Sequence, residues 1–153
     1  MISEVLLRVS FLKTILALLV VVIAGCNQKF EDISLSPEFS SMIGTKYVVK
    51  KALMIHGVTA DIGQENVQYF AITRTPGMGG PEVVSSEPLV VGSVVLVTKV
   101  ERCSNCLFGS PIHIVVELIA DTLSPQVPVR IYQLQSRKDN GDLSLTSEYF
   151  EQI

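Results

Sequence analysis

The chain has 153 residues, with 12 Lys plus Arg against 15 Asp plus Glu, 48% hydrophobic residues and no Trp. Its formal net charge of −3 comes without a basic cluster, which argues against nucleic acid as a partner, since that binding draws on concentrated positive charge. The same balance gives no attraction to anionic lipid headgroups, so a membrane association needs another device. Residues 1–13 carry Arg8 and Lys13 against Glu4 and lead into an uncharged run from Thr14 to Gly25. That run is shorter than the roughly 20 apolar residues a bilayer span needs. It fits the apolar part of an export signal, roughly 7–15 residues long, which is set aside before fold reasoning.

The run ends in Ile23-Ala24-Gly25-Cys26, which resembles the lipobox of bacterial lipoproteins. Small residues at 24 and 25 let an extended backbone pass close to a protease, and the Cys26 thiolate is a good nucleophile for lipid transfer. The resemblance implies cleavage between Gly25 and Cys26, a diacylglycerol on the Cys26 thiol, and fatty acylation (palmitate) of the new amino group. Two or three such chains anchor stably, because each buried methylene contributes about 0.8 kcal/mol while a single chain is marginal. In Gram-negative members of this class an Asp after the cysteine retains the protein at the inner membrane. Asn27 here implies the outer membrane, facing the periplasm.

Residues 1–25 are thus expected to be a signal peptide containing a signal helix, 26–43 a short tether with a helical turn, and 44–153 a single β domain. From Cys26 onward there are 10 Lys plus Arg against 14 Asp plus Glu. A body of that length buries about two-thirds of its unfolded surface, so it folds without a metal or a disulfide framework, and no cofactor is expected. The turn falls at Ser36-Pro37-Glu38-Phe39, where Pro sits just inside a cap.

Beyond Gly44 the sequence reads as strands separated by turn residues. The first runs from Thr45 to Ile55, interrupted by Lys50-Lys51, with turns expected at His56-Gly57 and Asp61-Ile62-Gly63. A second spans Val67 to Thr73 and is followed by the breaker-rich loop Thr75-Pro76-Gly77-Met78-Gly79-Gly80-Pro81. The third, Val90 to Val100, leads through Cys103-Ser104-Asn105-Cys106 into a fourth, Ile112 to Ile119. There His113, Val115 and Glu117 share one parity and Ile114, Val116 and Leu118 the other, which predicts one wet and one core face. A fifth runs from Val127 to Leu134, bounded by Asp139-Asn140-Gly141-Asp142. In the tail, Leu143 and Leu145 point inward as a short strand, or Thr146 or Ser147 caps a helical turn. Five to six mostly antiparallel strands make an all-β barrel or compact sandwich. The spacing Leu89, Gly92, Val95, Val97, Val100 resembles small SH3-like barrels, which implies a barrel fold.

Cys103 and Cys106 are the one tight chemical motif. Across a hairpin turn their Cα atoms come within disulfide range, roughly 4.4–6.8 Å, and an oxidising compartment favours the bond. As a redox dithiol the first Cys would sit at a helix amino terminus, but Leu107-Phe108-Gly109-Ser110-Pro111 does not make a helix. Zinc wants four ligands, and only His56 and His113, on other elements, are on offer. Neither histidine has a nucleophile–base partner in sequence, and the glycine-rich loop lacks the Lys-Ser/Thr pair of a phosphate loop. The loop residues Met78, Gly79 and Gly80 are candidates for a binding surface. The expectation is a non-enzymatic envelope domain, held to the membrane by lipid, that binds a protein or an envelope component. An accessory subunit and an immunity or inhibitor protein are its two forms. A thiol-disulfide oxidoreductase or other periplasmic enzyme is one alternative, and a structural lipoprotein of the cell wall is another.

Overall fold

A computed structural model describes residues 28–59, 63–106, 109–119, 127–138 and 141–153. Residues 1–25, expected to be a signal peptide, with Gly25, the expected lipid acceptor Cys26, and the expected turn residues Asp61, Ile62, Asp139 and Asn140 lie outside the described residues. The fold is all-β, as the sequence predicts. Eleven strands are formed among the described residues, more than the five or six read from sequence: β1 Phe30–Asp32, β2 Lys46–Val49, β3 Leu53–Val58, β4 Tyr69–Arg74, β5 Val83–Leu89, β6 Val94–Cys103, β7 Ile112–Ile119, β8 Val129–Ile131, β9 Gln135–Arg137, β10 Leu143–Leu145 and β11 Phe150–Gln152. One helical turn, α1 Pro37–Ser40, stands where Pro37 placed it. The chain divides into two compact units. The larger holds residues 31–102 and 112–153, and the smaller combines the segment ending at Phe30 with Cys103–Pro111.

In the larger unit the strand path is β11-β2-β6-β7-β8-β4-β3-β5, all antiparallel except β4 with β8. The strands β2 and β3 are successive parts of one chain run, broken at Lys50, Lys51 and Ala52. Val49 and Leu53 are both fully buried and four residues apart, so the run keeps one core parity through the break. The path from β2 to β3 therefore ends three residues from where it began, and the sheet bends around one core. Tyr47, Val49, Leu53, Ile55, Ile72, Val95, Val97, Val100, Ile114, Val116 and Ile131 fill that core. Most are β-branched, the residue class that packs well on a pleated surface.

A bulge in β6 decides which residues face out. Val95 and Val97 point inward, and unbroken alternation would send Lys99 and Glu101 after them. The β6–β7 register shifts between Val97 and Lys99, so Val100 enters the core and the two charges turn away. Strand β5 joins β3 at the margin of the path, and its outer residues Ser85 to Pro88 are exposed.

The segment expected as a tether contributes to the interior. Ile33, Phe39 and Met42 are core residues, with Phe39 fully buried, and Gly44 N–H donates to the Val97 carbonyl at 2.8 Å. Gly44 has φ +79°, a left-handed conformation that favours glycine after a helical turn. The tail adopts both forms the sequence allows. Leu143 and Leu145 are buried in β10, opposite β9, and the Phe150 N–H then closes a helical turn on the Thr146 carbonyl at 3.1 Å.

In the smaller unit Cys103 and Cys106 are joined, with Cα atoms 5.8 Å apart, and Cys106 pairs with Gly109 in an isolated antiparallel bridge.

Candidate functional site

The side of the sheet turned away from the core carries a band of polar side chains. In register across six strands stand Ser86, His56, Ala71, Arg130, Val115 and Lys99. Glu101 faces His113 in the neighbouring rank. The sequence places His113 and Val115 on a wet face, but they are only 6% and 8% exposed. Their face is packed rather than solvated because aromatic and charged side chains close over it.

At its centre is a buried ion pair. Arg130 Nη2 lies 3.2 Å from Glu101 Oε2, both side chains under 10% exposed, and Lys99 Nζ meets the other carboxylate oxygen at 2.8 Å. The Arg130 guanidinium also lies 4.8 Å above the Tyr69 ring, a cation–π contact with a desolvated charge. Tyr69 stacks near Tyr132 at 6.3 Å and 15°, and Tyr132 touches the His113 ring at 4.9 Å. Burial, together with the Tyr69 hydrogen bond, pushes the Tyr132 phenol up, so it stays protonated. Burial and the neighbouring Arg130 charge hold His113 below its ordinary value.

His56 is not at a turn. It lies inside β3 and is 1% exposed, and Gly57 continues the strand at a point where a side chain would run into Ser85 and Val67. The imidazole anchors the breaker-rich loop. The Met78 N–H can only donate, so Nε2 must accept it, at 3.3 Å. The neutral ring then carries its proton on Nδ1 and donates to Ser86 Oγ at 2.7 Å. Thr73 Oγ1 approaches Nε2 at 3.1 Å. Gly77 crosses the ring with φ +99°, where any side chain would run into the imidazole.

The anchored loop forms one wall of a cleft of about 490 Å³ lined by Arg74, Thr75, Met78, Tyr132, Gln133 and Tyr149, among others. Met78 is half-buried in this wall, while Gly79 and Gly80 are exposed and not among the lining residues. Arg74 is the charged member. Gln133, an exposed non-glycine residue, holds φ +56° at the rim, a conformation that costs free energy and clusters at ligand-contacting positions. The sequence indicated the loop. It did not reveal Tyr132, Gln133, Tyr149 or the His56 anchor, since the register that joins β3, β4 and β8 is set by long-range pairing.

Cys103 is fully buried and ends a strand, unlike the exposed helix-terminal thiol of a redox pair. Among the described residues no three His, Cys, Asp or Glu side chains converge as a metal site.

Acidification tests the neutral His56. Burial lowers its pKa from the ordinary 6.5, so just below pH 6.5 the unfolded chain binds protons that the native ring refuses. Stability therefore falls as pH drops through that value, and His113 adds in the same direction. The urea midpoint is expected to decrease between pH 7.5 and 5.5, and the double variant His56→Gln/His113→Gln to flatten this slope. An equal slope in the variant contradicts the assignment.

No family model, curated protein or solved structure matches the chain.

Proposed function

We propose that this protein is a lipid-anchored envelope domain that binds a partner protein or envelope component through the cleft beside the His56-anchored loop. Cys26 is its attachment point, and the outer membrane, facing the periplasm, is its place. The lipobox resemblance supports the anchor. The joined Cys103 and Cys106 agree with export, because disulfides persist outside the reducing cytoplasm.

The observation that carries the binding reading is the preformed wall of the cleft. The Met78 backbone is tied to a buried imidazole, so the loop keeps one shape, and recognition on a fixed loop avoids the entropy of ordering it. Around it, Tyr132, Tyr149 and Met78 offer apolar and aromatic surface, and Arg74 offers one positive charge. That combination suits a partner presenting an apolar or aromatic group beside a carboxylate. An accessory subunit of an envelope assembly and an inhibitor of an envelope-acting enzyme both fit this chemistry.

The test is affinity capture of the tagged, membrane-extracted protein from its host's envelope, comparing wild type with Arg74→Glu and Met78→Asp. Both residues lie away from the core, so near-UV circular dichroism should be unchanged. The wild type is expected to retain a reproducible partner, with recovery falling about tenfold in each variant, the loss of one good contact. Equal recovery by all three forms overturns the cleft as the binding site.

A further inference from the structure

The smaller unit holds Lys29, three positions after Cys26 in the chain. Lys29 is bonded on both sides of its backbone. Its N–H donates to Asn105 Oδ1, and its carbonyl accepts from the Ser104 N–H at 2.9 Å and from Ser104 Oγ at 3.3 Å. Ser104 and Asn105 are the two residues enclosed by the Cys103–Cys106 disulfide, so the bridge fixes the loop that grips Lys29. The Cys103 N–H donates to the Pro111 carbonyl at 3.0 Å and secures the base of the same tip.

We infer that this disulfide-closed tip rests on the lipid bilayer surface. The inference depends on lipidation of Cys26 and adds to it a docking face. Only Asn27 and Gln28 lie between Cys26 and Lys29, and three chain steps reach at most about 11 Å. The headgroup layer on one side of a bilayer is itself about 5–8 Å deep. An acylated Cys26 at the foot of that layer leaves the Lys29–Asn105 pair among the headgroups or within a few Å above them. The tip has no slack with which to stand away.

Its chemistry fits the place. Residues 28–30 and 103–111 include no Asp or Glu, although 14 acidic residues follow Cys26 in the chain. Lys29 supplies a positive charge there. The exposed groups at Ser104, Asn105, Gly109 and Ser110 are small and neutral. Anionic headgroups repel the acidic remainder of the protein but meet no carboxylate within these two segments, the nearest in the chain being Glu31 and Asp32 after Phe30. The role of the disulfide is then to hold a stiff contact at the one place where the tether is too short to absorb movement.

The absence of Trp provides a clean reporter. Ser110→Trp, with Ser104→Trp as a second position in case the first disturbs folding, would be made in the full chain and purified in lipidated form. The protein is then placed in phosphatidylethanolamine–phosphatidylglycerol vesicles with and without brominated phosphatidylcholine. The expected result is a blue shift on vesicle binding and a loss of about half or more of the emission with brominated lipid, as for a group at the interface. The same variants lacking residues 1–26 should show neither change, and equal quenching of that form overturns the inference, since the new Trp would be binding by itself. Lipidated protein that floats with the vesicles but keeps full emission at both positions also overturns it, while leaving the anchor intact. An intact mass showing an unmodified residue 26 removes both the anchor and the docking.

Discussion

Glu101→Ala is expected to lower the free energy of unfolding by about 3–5 kcal/mol, the cost of leaving one member of a buried ion pair without its counter-charge. Whole domains are stable by only about 5–15 kcal/mol, so a urea midpoint shift of this size is unmistakable. The effect comes from Arg130, which is 7% exposed and held between the Glu101 carboxylate and the Tyr69 ring. Removing the carboxylate takes from a buried guanidinium the counter-charge that stands 3.2 Å from it. Arg130→Ala should cost less, because Lys99 at 2.8 Å still neutralises Glu101. The double replacement Glu101→Leu/Arg130→Met should recover most of the loss, since apolar residues of similar volume satisfy a buried site without charge. If Glu101→Ala proves neutral, the pair is solvated and the packed outer face is wrong.

Phe39→Ala is expected to cost about 3–5 kcal/mol, the usual range for truncating a buried aromatic ring. Phe39 is fully buried beside Met42 and Ile33. The prediction separates two views of residues 30–43. As a tether they would tolerate the change within about 0.5 kcal/mol, like other surface positions. As part of the core they cannot. Thermal unfolding of the wild type and variant, with residues 1–25 treated identically, decides between them.

Much of the fold is legible in the sequence where local chemistry governs it. Pro37 marked the helical turn, Lys50-Lys51 marked the break between β2 and β3, and the Thr75–Pro81 breakers marked the loop between β4 and β5. Leu143 and Leu145 carried a strand's alternation into β10. The candidate site was legible only in part, through Met78. His56-Gly57 read as a turn because a His followed by a Gly interrupts the apolar run that reaches Ile55. In fact Ser86, Thr73 and Met78, up to thirty residues away, satisfy the ring. His113 read as a solvent position because parity gives a face and says nothing of what covers it. Its neighbours Glu101 and Tyr132 arrive through the β6 bulge and the parallel β4–β8 pairing, neither of which is encoded in any single segment.

The proposed anchor is an acyl chain that water rejects, holding a mildly acidic body to the envelope. Intact-mass analysis of the protein from its host's membrane fraction addresses this most directly. The expected species begins at Cys26 and is heavier than the bare polypeptide by a diacylglyceryl group, with or without an amino-linked acyl chain. A soluble chain that retains residues 1–25, or one cleaved there with an unmodified cysteine, contradicts it.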